Sequence, residues 1–298
     1  MKKMCTRALA ALLLAALLTA LAPATLAALP EPAEKQADVV VYRNGKAKVD
    51  ASNAAEGYVT VSYLGGRDVR IKVRVTKLDG IQYTYDLNNK GDPEVFPLTE
   101  GDGSYTVTVY ENVVDNRYSQ AYSCSIAVKL RNPFLPFLYP NQHVNYTTET
   151  KCVVKAAELT ADLTDQLKMV EAVYHFVVGH LSYDKALAAS VQSGYLPVLD
   201  SIYDKQTGIC FDYASMMAAM LRSRGIPCKL VFGYAGDAYH AWINVYIEGK
   251  GWLDALIYFD GVNWSLVDPT FASTAGANSS QLKEYVGDGS AYVSKYAY

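Results

Sequence analysis

Cys210, His240 and Asp268 are the residues of this chain whose types and order could do nucleophilic chemistry. Cys210 follows Thr207-Gly208-Ile209 and opens the run Phe211-Asp212-Tyr213-Ala214-Ser215-Met216-Met217-Ala218-Ala219-Met220-Leu221-Arg222. A thiol at the start of a helix sits where backbone N–H groups converge, which favours the thiolate. A thiolate attacks carbonyl carbon. A histidine can hold the proton and return it to the leaving amine, and an acid on the other ring nitrogen fixes the tautomer. Paired in this way, Cys210 is predicted to alkylate below pH 7. The same residues also fit a buried structural cysteine near an unrelated histidine.

The elements that must place these groups can be read from the flanking sequence. Gly208 allows a close backbone approach, and the Ala, Met and Leu run predicts a buried helix that Gly225 and Pro227 stop. Arg222 and Arg224 suit its last turn, and Asp212 suits its first. Strands are predicted over Cys228–Tyr234, His240–Ile247 and Trp264–Asp268. In the second, Ala241, Ile243, Val245 and Ile247 make a core face, and His240, Trp242, Asn244 and Tyr246 a mixed one. For His240 and Asp268 to meet, their strands must pair antiparallel as neighbours, with Tyr246 opposite Val262 and residues 248–261 leaving the sheet. Upstream, helices are predicted over Thr148–Ala161 and Thr164–His180, the latter with Leu167, Val170, Val173, Tyr174 and Val177 on one face. Residues 186–206 read as a loop-rich approach to the cysteine, and residues 276–298 as a tail without an assigned place.

Gly-Ile-Cys before a buried helix, Arg224-Gly225-Ile226-Pro227, Gly233-Tyr234, His240-Ala241-Trp242 and Asp268-Pro269-Thr270 stand in this order. The ordered set, with Ser182-Tyr183-Asp184 after a helix, resembles the transglutaminase-like branch of the papain-like cysteine enzymes. The resemblance covers roughly 148–271. It implies an α+β catalytic domain, a Cys210-His240-Asp268 triad, and acyl transfer from an amide through a thioester without a cofactor or metal. It covers peptidases and amidases, cross-linking transglutaminases, and folded but inactive relatives. Hydrolysis of peptide or cell-wall peptide amides is the expectation, since water is the default acceptor unless a site excludes it. One oxyanion donor would be the Cys210 N–H, with Gln206 or Tyr203 as candidates for the second. Tyr213, Tyr234, Tyr239 and Trp242 are candidates to line the substrate cleft.

Residues 1–28 have the pattern of a signal peptide: Lys2, Lys3 and Arg7, then an apolar stretch from Ala8 to Ala22, then small residues. The expectation is an exported protein, secreted or cell-wall associated, with no membrane span after cleavage. Residues 29–37 read as a linker. Residues 38–131 show period-2 alternation with Gly, Asn and Asp turns, as in Val69, Ile71, Val73 and Val75, which predicts a β-sandwich. The stretch Gly103–Val109 resembles a strand of bacterial immunoglobulin-like modules. The cationic row Arg67, Arg70, Lys72, Arg74 and Lys77 reads as a solvated strand face. Residues 132–147, rich in Pro and aromatics, read as a second linker packed along a surface, and 148–298 as the catalytic domain. A formal net charge of −3 over 298 residues argues against a nucleic-acid partner. Export would permit a disulfide between Cys124 and Cys152. Cys228 reads as a buried apolar residue. His143, His175, His180 and His240 show no metal-ligand spacing.

Overall fold

The computed structural model describes residues 39–78, 80–235, 237–253, 257–259, 264–266 and 292–298. The signal-peptide pattern, residues 29–37 and Asp268 lie outside the described residues.

The first half folds into two four-stranded sheets. One runs β1 (Val41–Arg43), β2 (Ala47–Asp50), β3 (Tyr58–Tyr63), β6 (Glu94–Pro97). The other runs β5 (Gln82–Leu87), β4 (Ile71–Lys77), β7 (Gly103–Val114), β8 (Arg117–Val128). All neighbours are antiparallel. Alternation drives the arrangement: Ile71, Val73 and Val75 of β4 are buried in one cluster with Val59 and Val61 of β3 and Val107 and Val109 of β7. Lys72 and Arg74 stand on the other face of β4, and each cation of the row has an internal partner. Lys72 pairs with Asp86 at 2.6 Å, Arg74 lies over the Tyr110 ring at 4.9 Å, and Arg70 over Tyr118 at 5.9 Å. Arg67 stands 3.7 Å from Glu111, and Lys77 donates to the Glu100 carbonyl at 2.5 Å.

The second half holds α1 (Lys151–Leu159), α2 (Gln166–His180), β9 (Ser182–Tyr183), α3 (Lys185–Ser190), α4 (Leu199–Lys205), β10 (Thr207–Gly208) and α5 (Cys210–Arg222). These are followed by β11 (Cys228–Ala235), β12 (Ala238–Ile247), β13 (Gly251–Leu253), β14 (Ile257–Phe259), β15 (Trp264–Leu266) and β16 (Tyr292–Ala297). The predicted helices form, and Val170, Val173, Tyr174 and Val177 are buried as their spacing requires. Every residue of α5 from Phe211 to Arg222 is buried.

Four features differ from the sequence reading or settle what it left open. Residues 186–206 contain two short helices, α3 and α4. The tail supplies β16, which pairs with β11 (Phe232 opposite Tyr296) and completes the sheet β13-β12-β11-β16. Of the stretch expected to leave the sheet, Gly251–Leu253 stays in it, because β13 turns back tightly and pairs with β12, setting Tyr246 opposite Trp252 rather than Val262. Strand β15 pairs with β14, which itself lies close to β12. Cys124 and Cys152 are free thiols, not a disulfide.

The segment between the halves is packed on both sides. Arg131 grips the buried Glu56 carboxylate with two hydrogen bonds of 2.7 and 2.5 Å, and Tyr139 adds a third at 3.0 Å. Phe134 stacks on Tyr246 at 4.0 Å, and Phe137 meets Trp252 at 5.3 Å. Arg222, with no exposed surface, donates to the carbonyls of Cys228 (2.9 Å), Tyr139 (2.9 Å) and Tyr298 (2.6 Å). It joins the helix end, the linker, β11 and the residue after β16. Removing it would strip the Cys228 and Tyr139 carbonyls of this donor and leave the Tyr298 carbonyl only the Leu230 N–H at 2.8 Å. Arg222→Leu is therefore expected to destabilise the protein by about 3 kcal/mol or more in urea unfolding. A loss under about 1 kcal/mol would mean that these carbonyls find other donors.

Candidate active site

Cys210 is the first residue of α5, and its place is set by the turn before it. Gly208 is paired in parallel with Tyr183, tying β10 to β9. A Cβ at position 208 would lie 2.7 Å from the Asp212 Cβ, so only glycine fits this close approach. The Asp212 carboxylate accepts the Ile209 N–H at 2.8 Å and the Tyr195 hydroxyl at 2.7 Å, so its role is to cap the helix start. The turn leaves Cys210 half-buried at the end of an otherwise buried helix, facing a cavity of about 750 Å³.

His240 lies on β12 opposite Gly233 and lines the same cavity. A Cβ at Gly233 would lie 2.1 Å from the Val293 carbonyl oxygen, so this glycine lets β16 close against β11. The Ala241 backbone N–H, one residue past His240, lies within hydrogen-bonding reach of the Cys210 sulfur. The helix start and the histidine strand therefore touch.

The electrostatics correct one expectation. Burial pushes the Cys210 thiol up, and the Asp212 charge adds to this; the N–H groups of Ala241, Phe211 and Cys210 pull it the other way. Burial pushes the His240 imidazole down to about 4. The resting pair is thus neutral thiol and neutral imidazole, because a partly enclosed site disfavours either charge alone. Proton transfer creates both charges together, and they stabilise each other.

Of the four aromatics proposed for the cleft, Tyr239 lines the cavity and the others do not. Trp242 is buried and packs against Gly233. Tyr213 is buried on α5 facing Tyr183, and Tyr234 lies under Lys295, whose ammonium is 4.6 Å from the ring centre. The proposed oxyanion donors are also elsewhere. Tyr203 on α4 packs against Phe176 and His180, and Gln206 is exposed with a left-handed backbone (φ 55°) that ends α4. Neither lines the cavity.

Tyr183 does line it, and was missed as a site residue. Its backbone is fixed beside Gly208, and burial, then the Cys210 and Asp212 charges, hold its hydroxyl protonated. Its signal in the sequence was its place in Ser182-Tyr183-Asp184. Phe211, Phe232, Tyr195 and His143 add aromatic walls, with His143 stacked on Tyr298 at 4.0 Å. Among the described residues no cluster of three His, Cys, Asp or Glu is placed to hold a metal. The register that was to set Tyr246 opposite Val262 is not formed, since β13 holds the place beside Val245–Ile247; Asp268 itself lies outside the described residues.

Residues 155–256 match the model of the transglutaminase-like superfamily, a segment that includes Cys210 and His240 and stops short of Asp268. Over these residues, about a third of the chain, the sequence is that of a transglutaminase-like domain. The chain is 29% identical over 132 residues to human kyphoscoliosis peptidase, covering 39% of this chain and 18% of that one. It is 33% identical over 87 residues to a protein-glutamine gamma-glutamyltransferase of Pseudomonas aeruginosa, covering 24% and 11%. The chain thus spans less than a fifth of either relative's length. A solved protein described as a cysteine protease from Cytophaga hutchinsonii is similar with a TM-score of 0.38 at 15% identity, covering 88% of this chain and 74% of that one.

Two predictions arise from these environments. The first concerns reactivity. In the native protein Cys210 should alkylate well before Cys152 and Cys228, which are buried with thiols pushed up to about 12. Its rate should climb with pH, and His240→Ala should slow it at pH 7. Mass mapping after brief iodoacetamide treatment reads this. A rate already at its plateau below pH 7 would mean a resting ion pair.

The second concerns stability. Burial pushes His143 down to about 3 and His240 down to about 4. An unfolded histidine titrates near pH 6.5, so the unfolded state binds more protons below that pH. The stability from the two neutral rings is whole above about pH 6.5 and is lost as pH falls toward 4 and then 3. Each should cost up to about 1.4 kcal/mol per pH unit within its window. Urea midpoints at pH 7, 6 and 5 should fall, and His143→Phe should flatten the decline. An unchanged midpoint across this range would contradict the neutral assignment.

Proposed function

We propose that this is an exported cysteine-dependent hydrolase of peptide or cell-wall peptide amides. The observation that carries the reading is that Cys210, at a helix N-terminus, touches the strand of His240 within a cavity both residues line. The Cys210 sulfur attacks the amide carbonyl as His240 takes the thiol proton. The Cys210 N–H and the Tyr183 hydroxyl receive the developing oxyanion, Tyr183 replacing Tyr203 and Gln206 in this role. His240 returns the proton to the amine nitrogen, the C–N bond breaks, and a thioester remains. Water, losing a proton to His240, then releases the acid and the thiol. An amine in place of water would give cross-linking, the second reading, which the name of the Pseudomonas relative supports.

Asp268 is proposed as the group that orients His240. Asp254, the acid that directly follows β13 in sequence, is the competing assignment, because β13 is the strand that pairs with β12 and the superfamily match includes it. The N-terminal unit, taken as 38–131, is proposed to be immunoglobulin-like. Its strand orders β2-β3-β6 and β5-β4-β7-β8 support this, since they place sequential strands as an immunoglobulin sandwich does. Residues 1–28 are proposed to direct export. Among the described residues no helix is long and apolar enough to cross a membrane.

Incubation with casein and with peptidoglycan fragments separates the readings. New peptide termini indicate hydrolysis, ammonia release with cross-links indicates transfer, and inertness indicates a surface-binding module. Cys210→Ala should abolish turnover with a melting temperature within a few degrees of wild type. Asp268→Asn should leave weak residual activity. Full activity in Asp268→Asn with loss in Asp254→Asn would transfer the orienting role to Asp254.

A further inference from the structure

The cavity is not built from the catalytic domain alone. Gln82, Thr84 and Asp86 of β5 line it together with Cys210 and His240. Strand β5 is the outer strand of its sheet, bonded to β4 and to no strand on its other side among the described residues. The Arg70 carbonyl accepts the Asn112 N–H at 2.9 Å, and the Leu78 N–H donates to the Ser104 carbonyl at 2.9 Å. The even-numbered positions flanking β4 thus point their backbone toward β7. Alternation then points Ile71, Val73 and Val75 toward β5, where they pair with Leu87, Tyr85 and Tyr83.

The N–H and C=O groups of Gln82, Thr84 and Asp86 must therefore face away from β4, along the free edge. The Asp86 carbonyl confirms the direction, since the Gln142 side-chain amide caps it from outside the sheet at 2.5 Å. Gln82 and Thr84 are exposed, and among the described residues no hydrogen bond to their backbone groups comes from the free side. A free edge presents main-chain donors and acceptors at the two-residue repeat of an extended chain. Here the edge belongs to the same cavity as the nucleophile.

We infer that the substrate is an extended peptide that adds as a strand to the free edge of β5, bonding to the backbone of Gln82 and Thr84, with its scissile amide at Cys210. The inference rests on the cysteine-hydrolase reading above and gives it a substrate class: an unfolded peptide segment rather than a small amide. The aromatic walls, Tyr85, Phe211, Phe232 and Tyr239, suit an aromatic side chain near the reacting carbonyl. The N-terminal unit then acts as half of the substrate site.

The test compares chloromethyl ketone labels that alkylate Cys210, one carrying Phe alone and one carrying Ala-Ala-Ala-Phe. The longer label should react at least about tenfold faster, the effect of one or two main-chain hydrogen bonds. Methylating the backbone nitrogens of its alanines should remove the gain. Thr84→Pro, which takes away an edge N–H but no ladder bond, should remove it too, while Thr84→Ala keeps it. Iodoacetamide should label Cys210 equally in all three proteins. The N-methylated label needs no mutant, so a misfolded Thr84→Pro does not spoil the test. Equal rates for the short, long and N-methylated labels, with normal iodoacetamide labelling, overturn the edge-strand proposal and leave the hydrolase reading intact. Failure of iodoacetamide to prefer Cys210 over Cys228 overturns the hydrolase reading and the proposal with it.

Discussion

A helix with no exposed face must be covered on all sides, and the covering of α5 sets the rest of this domain. Helices α1, α2 and α4 pack on it together with β11 and β12. Its start stays accessible, because the residues just before it are held in the β9–β10 pair and the Asp212 cap. A thiol at that start meets the backbone of β12. The cavity, the partly buried nucleophile and its base all follow from where this one helix can lie.

The other end of α5 is tied to the remaining parts of the molecule. Arg222 spends its donors on carbonyls from the linker, from β11 and from Tyr298. An aromatic cluster of Tyr83, Tyr85, His143, Phe232 and Tyr298 then lies where the N-terminal sheet, the linker and the tail meet. Buried aromatic contact area and a satisfied guanidinium favour a fixed relation between these elements. That relation lets residues from β4 and β5 stand opposite a cysteine more than a hundred positions later in the chain.

Local features were legible in the sequence. Gly208 and Cys210 at a helix start, the apolar run of α5, and the core face Ala241, Ile243, Val245 and Ile247 could be read because each depends on near neighbours. Non-local pairings could not. Nothing in Tyr292–Ala297 says that it joins β11, and the choice between Trp252 and Val262 as the partner of Tyr246 depends on turn geometry in a glycine-bounded segment. Tyr203 and Gln206 were chosen for their nearness in sequence to Cys210, but α4 turns one into a helix interface and the other into solvent. The cavity wall from β5 was invisible because it requires two domains to be placed together. The thiol was expected to be acidic from its helix end and its pairing with His240, and burial outweighs the N–H groups of that end.

The central claim is that Cys210 carries the acyl group. The direct measurement is mass spectrometry of the Cys210 peptide after casein is mixed with the protein and quenched in acid within the first turnovers. The account predicts an acyl adduct on Cys210 that hydroxylamine removes and that His240→Ala does not accumulate. Turnover of casein with Cys210 unmodified at every quench time would contradict it.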